Sequence, residues 1–239
     1  MKLSSSEILD VASRAGGASP SAVTLYDASR MGNNGALTNV TWSQQNKLNG
    51  FPNNDLWIPD YGNGGALDAY AEIPDSPSMR FTRGGMILGW IYPRTLGGSN
   101  GGRIIHKGSD VLGTNGYRFQ VNNVTNVRSL IVSVNNDAVT ISNANSIILN
   151  SWQFCVVYIN STARKIYSGN AKGFSDVTNI AGGLSLPPNV SSITRIGNQT
   201  AAVDRGFDGY ISKLRIFTYA LDLAQLLHIF ESERRLYNV

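Results

Sequence analysis

Cysteine is nearly missing from this chain of 239 residues, and Cys155 is its only thiol. A single cysteine excludes an internal disulfide framework. Because Cys155 lies within the apolar run 152–159, we expect a buried structural side chain rather than a reactive one. Charge is also sparse, at 15% of the residues with a net charge of +4. The basic residues are scattered and form no stripe, so we expect no nucleic-acid binding.

Long hydrophobic runs are missing as well. No apolar stretch approaches the roughly 20 residues that cross a bilayer, so no membrane partner is expected. The first ten residues lack the apolar core of a secretory signal, and we therefore expect synthesis in the cytoplasm without export. The only histidines are His106 and His228, too few for a typical zinc site.

Catalytic patterns are equally scarce. No Ser–His–Asp or Cys–His set can be assembled, and the glycine-rich stretch 97–102 lacks the Lys-Ser/Thr ending of a phosphate-binding loop. Hydrolysis of a glycosidic bond needs two carboxylates that flank it. Glu72 and Asp75 lie close in sequence, and Asp204 and Asp208 flank a glycine turn, but neither pair follows a glucanase-like E-x-D-x-x-E strand pattern. We expect a protein that is not an enzyme.

Strand signals are abundant. The runs 85–92 and 152–159 are continuously apolar, and residues 210–217 alternate with period two, as a pleated strand requires. Turns rich in Asn, Gly and Ser separate some ten such segments. This pattern predicts an all-β fold, a two-sheet antiparallel jelly-roll sandwich with Trp90 and Trp152 in its core.

The N-terminal segment stands apart from these strands. Residues 6–14 have an amphipathic pattern that Gly16 and Gly17 end, so residues 1–19 are interpreted as an arm with a short helix. Its apolar residues Ile8, Leu9 and Val11 are candidates for contact with a partner. The alternative is that this segment packs on its own domain or frays.

The remaining residues, 20–239, are predicted to form one domain that ends in a helix over residues 222–236. Asp222 can cap this helix, with Gln225 completing a capping box. An apolar stripe follows, which we expect to lie against the sandwich. It consists of Leu223, Leu226, Leu227 and Phe230.

Three passages resemble the concanavalin A-like jelly rolls, and specifically their laminin-G-like branch. Residues 25–39 (LYDASRMGNNGALTN) resemble the family's opening motif. Residues 70–93, which begin YAEIPDSPSMRF, resemble its second motif. Residues 209–221 (GYISKLRIFTYAL) resemble its closing motif. Their order and spacing imply the two-sheet sandwich over roughly residues 20–237, although a shared fold does not fix a function.

The resemblance also implies a calcium ion near the opening motif. Asp27 would supply a carboxylate, and Asn33 or Asn34 an amide oxygen. Calcium requires six to eight oxygen ligands, several of them anionic, whereas the usual Asp-Glu of the closing motif is Ser212 and Lys213 here. The alternative is that Asp27 and its neighbours bond to the backbone of their own turn. No other cofactor is expected.

Two functions from different classes stay open. Residues 230–237 (FESERRLY) resemble the endings of laminin-G-like domains in bacteriophage virion proteins. The leading hypothesis is therefore a non-enzymatic structural and adhesive protein of the virion surface, such as a capsid decoration (cement) or fibre protein. It would be a homo-oligomer or a multi-copy component, with residues 1–19 contacting other virion proteins and the sandwich contacting cell-surface glycans.

The alternative is a soluble carbohydrate-binding (lectin) module. Such sites pair an aromatic platform with polar hydrogen-bonding groups. Six aromatic residues are available, and the sequence assigns none of them to a site: Trp42, Trp57, Tyr61, Tyr92, Tyr117 and Tyr167. A glycoside hydrolase is the last alternative.

Overall fold

The computed structural model describes residues 7–10, 14–15, 23–45, 56–62, 67–80, 82–99, 101–108, 116–122, 127–135, 137–187 and 191–239. Its strands are, in chain order, β1 (Glu7–Asp10), β2 (Arg14–Ala15), β3 (Thr24–Leu25), β4 (Gly35–Thr38), β5 (Thr41–Gln45), β6 (Leu56–Asp60), β7 (Tyr70–Ile73), β8 (Gly85–Pro93), β9 (Arg103–Lys107), β10 (Tyr117–Val121), β11 (Leu130–Val134), β12 (Thr140–Ser142), β13 (Gln153–Ile159), β14 (Arg164–Asn170), β15 (Gly173–Asp176), β16 (Thr178–Ile180), β17 (Thr194–Ile196) and β18 (Gly209–Phe217). Helix α1 (Leu223–Glu233) follows, and a 3-10 turn (Arg234–Tyr237) extends it. Among the described residues, no helix has the length and apolarity to cross a membrane.

The strands form two antiparallel sheets. The first has the order β15-β14-β13-β8-β18-β6-β2, with β1 paired to β18 and β5 paired to β6. The second has the order β16-β12-β11-β10-β9-β17-β7-β4-β3. This arrangement confirms the predicted two-sheet jelly-roll sandwich.

Aliphatic and aromatic side chains from the inner faces of both sheets fill the space between them. Ile87, Ile105, Phe119 and Ile196 belong to this core, and none is more than 1% exposed. Cys155 lies among them as a free, buried thiol. This confirms the predicted burial, and burial raises the pKa of the thiol far above its usual range, which favours the thiol over the reactive thiolate.

A second apolar layer lies on the outer side of the first sheet, beneath α1. Trp90 and Trp152 belong to this layer, so their predicted place between the two sheets is wrong. Trp90 stacks on Tyr237, with 4.3 Å between ring centroids, and on Phe230 at 5.8 Å. The alternation of side chains along β8 is the reason, because Ile87 and Ile91 face inward and Trp90 therefore faces outward.

Helix α1 begins as the sequence predicts. The Gln225 amide donates to Asp222 Oδ1 at 2.8 Å, and the Asp222 amide donates to Gln225 Oε1 at 2.9 Å, which completes the capping box. The predicted apolar stripe is partly wrong. Leu226, Ile229, Phe230 and Glu233 are the buried positions, spaced three and four apart on one face. Leu223 and Leu227 lie to one side of this face, and they are 60% and 44% exposed.

Strand β18 does not keep the simple alternation that its sequence predicts. A β-bulge lies between Ser212, which pairs with Trp90, and Arg215, which pairs with Leu88. Lys213 has a φ of 47° within it. The extra residue reverses which positions of the strand face the core from that point on. As a result Ile211 and Leu214 both enter the core, while Arg215 faces α1.

The N-terminal segment is not the predicted helix where it is described. Glu7–Asp10 forms β1, with Leu9 opposite Ile216 and Asp10 opposite Arg215 in β18. Arg14–Ala15 forms β2 against β6. The backbone groups at the free edge of β18 supply hydrogen-bond partners that outweigh the local helical pattern. Val11 lies outside the described residues, and contact of Ile8 and Leu9 with a partner stays a prediction.

Candidate functional site

The outer face of the second sheet is the candidate site, because the outer face of the first lies under α1. In the described part of the chain, polar side chains occupy this face. Cross-strand pairing aligns Ser133, Arg118 and His106, and it aligns His106, Arg195 and Glu72. Neighbouring strands are about 4.8 Å apart, so these side chains form one continuous row. Sequence reasoning missed the row, since its residues come from five separate strands.

One end of the row combines an aromatic ring with charge. The Arg195 guanidinium lies 4.0 Å from the centroid of the Tyr70 ring. Arg195 Nε also donates to Glu72 Oε2 at 2.9 Å, and Nη1 donates to the Gln199 carbonyl oxygen at 2.9 Å. Tyr70, Glu72 and Arg195 are all partly exposed. This end therefore presents a ring, donors and an acceptor to the surroundings.

The middle of the row is held by the loop that follows β17. The backbone amide of Thr200 donates to His106 Nδ1 at 3.2 Å, and Thr200 Oγ1 lies 3.0 Å from the same nitrogen. Thr200 Oγ1 also donates to the Gly108 carbonyl oxygen, so one threonine joins the loop to the end of β9 at two points. His106 is fully buried, so it positions the loop that borders the face.

Arg103 joins this face through an irregularity in pairing. Between Phe119 opposite Ile105 and Gln120 opposite Arg103, β9 has one extra residue. Ile104 and Ile105 both turn into the core, and Arg103 falls beside Gln120 on the outer side. The side chain of Arg103 is 0% exposed. Its burial, and then the charges of Arg118 and Arg205, lower its pKa to about 9, so it is still a cation at neutral pH.

The predicted calcium ligands are brought together, but in a turn that closes on itself. Asp27 Oδ1 accepts from the Ser29 amide, and Oδ2 accepts from Ser29 Oγ and the Asn33 amide, all at 2.7–2.8 Å. The amide oxygen of Asn34 accepts from the Asp27 backbone, and that of Asn33 accepts from Ser78 Oγ. Only one carboxylate is present, and no three His, Cys, Asp or Glu cluster within the described ranges. These residues do not fit a calcium site.

The four candidate catalytic carboxylates are each held by donors of the chain itself. Asp75 accepts from Arg80, from Lys107 Nζ at 2.9 Å and from Ser191 Oγ at 2.8 Å, and the Arg80 hydrogen bond holds the pKa of Asp75 well below its usual range. Glu72 is paired with Arg195, as described above. Asp204 accepts from Gln199 Nε2 at 2.5 Å, and Asp208 from Arg94 Nε at 2.9 Å.

Two recesses lie away from this face. One of about 400 Å³ adjoins α1 and is lined by residues including Gln225, His228 and Ser232. The other, of about 360 Å³, adjoins β14 and β15; its lining includes Asn145, Ser168, Asn170, Lys172 and Phe174.

The aromatic candidates for a sugar platform do not gather at one site. Tyr61 and Tyr117 are buried between the sheets. Tyr92 and Tyr167 pack on the layer beneath α1, and Trp42 packs on the inter-sheet core. The Trp57 side chain lies outside the described atoms. Tyr70, which is not among these six candidates, lies on the candidate face beside Arg195.

Comparison of known structures finds the same fold at low sequence identity. Domain 4 of AbnA, an extracellular arabinanase of family GH43 from Geobacillus stearothermophilus solved with arabinotriose, matches with a TM-score of 0.58 and 14% identity over 85% of this chain and 91% of that one. The receptor-binding domain of botulinum neurotoxin mosaic serotype C/D matches with a TM-score of 0.55 and 15% identity, over 96% of this chain and 51% of that one. A Trypanosoma rangeli sialidase matches with a TM-score of 0.53 and 10% identity, over 97% and 33%.

A search of curated proteins found no match to the sequence. The family model described as the concanavalin A-like lectin/glucanases superfamily matches residues 63–226. This match covers more than half of the chain and includes most of the second sheet and β18. The predicted resemblance is confirmed, and the chain belongs to the concanavalin A-like lectin/glucanase superfamily.

Proposed function

We propose that this chain is a non-enzymatic carbohydrate-binding domain whose site is the outer face of the second sheet. The observation that carries the proposal is the row of polar side chains on that face, at a place where α1 does not pack. The membership in a superfamily of lectins and glucanases supports it, as does the arabinotriose in the similar arabinanase domain.

The chemistry of the row suits a sugar. Hydroxyl groups both donate and accept hydrogen bonds, and the faces of sugar rings are apolar. Arg118 and Arg195 are donors, Glu72 is an acceptor, and Tyr70 offers an aromatic ring at the same edge. All four are partly exposed. His106 lies between Arg118 and Arg195 and is buried beneath the loop after β17, so a short oligosaccharide bound at the other end of the row would contact Tyr70, Glu72 and Arg195.

Binding without hydrolysis is proposed because the acids on this face are already engaged. Glu72 is the carboxylate within the described row, and Arg195 holds it as an ion pair. A retaining mechanism requires a second carboxylate about 5 Å away, and an inverting one requires room for water between two acids. Asp75, Asp204 and Asp208 are likewise occupied by donors, which favours recognition over bond cleavage.

The test is a glycan array, followed by titration of the best binder. Tyr70→Ala should weaken that binding about tenfold, because an aromatic contact contributes on the order of 1 kcal/mol beyond its buried area. Tyr219→Ala, which removes a partly buried ring on the α1 side of the molecule, is the matched control and should bind normally. The proposal would be contradicted if the protein bound no glycan on the array, or if Tyr70→Ala and Tyr219→Ala weakened glycan binding equally.

The finer hypothesis, that the chain is a multi-copy component of a phage virion surface, is a second proposal. Its support is the resemblance of residues 230–237 to endings in virion proteins. The same segment also has a packing role, because Phe230, Glu233 and Tyr237 contact Trp90. On a particle, the sugar-binding face would serve adhesion to host glycans. Recovery of the chain with assembled particles supports this assignment, and particles that lack it would exclude it.

A further inference from the structure

Arg103 is a buried cation with no hydrogen-bond partner in the described part of the chain. Its side chain is 0% exposed, and Nε, Nη1 and Nη2 all lack an acceptor. A guanidinium normally reaches the interior only with a carboxylate or another oxyanion opposite it, because an unpaired buried charge is strongly unfavourable. Arg164 illustrates the usual solution in this molecule, since Asp137 binds it through two hydrogen bonds.

The surroundings of Arg103 are themselves positive. Arg118 and Arg205 lie close enough to lower its pKa, whereas Asp204 acts in the opposite direction. Asp204 is exposed, and its carboxylate already accepts from Gln199. The Arg103 amide donates to the Arg205 carbonyl oxygen at 3.0 Å, which fixes the bordering loop beside the strand. Arg103, Arg118 and Arg205 therefore lie near one another, and among the described residues Asp204 is the acid that acts on Arg103.

We propose that Arg103, Arg118 and Arg205 form a binding site for the carboxylate or sulfate group of an acidic glycan. This inference rests on the proposed function, and it names the class of sugar. The planar fork of a guanidinium matches both oxygens of a carboxylate or two of a sulfate. Arg118 and Arg205 are partly exposed, so an anionic group meets them first. Its oxygens then accept the hydrogen bonds that the buried Arg103 guanidinium can donate.

The key variant is Arg103→Met in the full chain, with Arg83→Met as its matched control because Arg83 is an exposed arginine before β8. Titrations compare a uronate-containing and a sulfated oligosaccharide with a neutral one of equal length. Arg103→Met should weaken the acidic ligands about 30-fold or more, since removal of one partner of a buried charge pair typically costs this much. It should leave a neutral ligand unchanged.

A stability measurement separates this role from a merely structural one. Without ligand, Arg103→Met should raise the Tm by a few degrees, because it removes an unpaired buried charge without opening a large cavity. Sulfate stabilises folded proteins in general through its exclusion from their surface. Relative to sodium chloride at equal ionic strength, sodium sulfate should therefore raise the Tm of the wild type and of the Arg83→Met control more than that of Arg103→Met. Should Arg103→Met fail to fold, Arg103→Lys keeps the charge but loses the fork, and it should weaken the acidic ligands as well.

The outcomes distinguish the two proposals. Neutral and acidic glycans that bind equally, with no effect of Arg103→Met, would overturn the acidic-glycan site and leave the carbohydrate-binding proposal standing. Sulfate stabilisation that depends on Arg103 without binding of any glycan would overturn both in favour of an inorganic-anion site. A lower Tm for Arg103→Met without ligand, together with unchanged binding of the acidic ligands by Arg103→Lys, would show that Arg103 only stabilises the fold, and it would overturn the inference.

Discussion

Replacing Glu233 with leucine is expected to lower the free energy of unfolding by about 3–5 kcal/mol, because it leaves buried partners without their acceptor. Glu233 is 8% exposed at the end of α1. Its carboxylate accepts from Trp90 Nε1 at 2.8 Å and from Arg215 Nη2 at 2.8 and 2.9 Å. It also pairs with Lys213 at 3.3 Å. One side chain thus joins the helix to β8 and to the bulge of β18.

Urea unfolding followed by tryptophan fluorescence measures this loss. Glu231→Leu is the matched control, because Glu231 lies two residues earlier, has a 52% exposed side chain and pairs with Arg234 at i,i+3. Such an exposed pair contributes about 0–1 kcal/mol. If Glu233→Leu and Glu231→Leu lost the same stability, the carboxylate would not be what fastens α1 to the sheet.

Asp137→Ala is expected to lower the free energy of unfolding by a similar amount, through a buried ion pair distant from α1 in the sequence. The Arg164 side chain is 0% exposed, and it donates to both carboxylate oxygens of Asp137 at 2.8 and 2.9 Å. Removal of the acid leaves that guanidinium buried with only the Ser185 carbonyl oxygen as a partner among the described hydrogen bonds. The expected loss is about 3–5 kcal/mol. The double variant Asp137→Ala/Arg164→Met should recover much of it, since no buried charge remains.

The exposed ion pair of Lys165, the residue after Arg164, with Asp176 supplies the control for the loss of an acid. Lys165 and Asp176 have side chains that are 47% and 39% exposed, so Asp176→Ala should cost no more than about 1 kcal/mol. Chemical denaturation of the single and double variants gives the coupling energy. A double variant no more stable than Asp137→Ala would contradict an account based on unpaired charge.

The Asp137 pair also predicts a dependence on pH. Burial acts to raise the pKa of Asp137, but the hydrogen bonds and charge of Arg164, with two backbone amides, outweigh it and lower the pKa overall. A carboxyl whose pKa is lower when folded stabilises the protein above its unfolded pKa, and this stabilisation is lost as pH falls through the folded value. The stability difference between wild type and Asp137→Ala should therefore be constant near neutrality and shrink below about pH 4.

Much of the sandwich could be predicted because its central strands carry strong local signals. The continuous apolar run of β8 and the capping box at Asp222 each specify one structure without help from the rest of the chain. Strands β5 and β6 could not be predicted, since TWSQQ shows no clear alternation and the apolar run of LWIPD is short and ends at Pro59. They form because each supplies the other's hydrogen bonds.

The candidate site was invisible for a related reason. Its residues are polar positions in strands that also supply the core, and only cross-strand register brings them side by side. Arg103 adds a second obstacle. The sequence Arg103-Ile104-Ile105 does not show where the bulge lies. Whether Arg103 faces inward or outward depends on its pairing with the partner strand β10. Lys213 in β18 misleads in the same way, because its positive φ is imposed by tertiary pairing.

The solitary thiol has a practical consequence for any variant of this protein. Cys155 is 1% exposed at the centre of the sandwich, and β8 and β14 flank its strand on both sides. A labelling reagent reaches the thiol when the two sheets of the sandwich separate, so the rate of modification reports how often the core opens. Labelling of Cys155 therefore measures global unfolding of the native chain without an introduced probe.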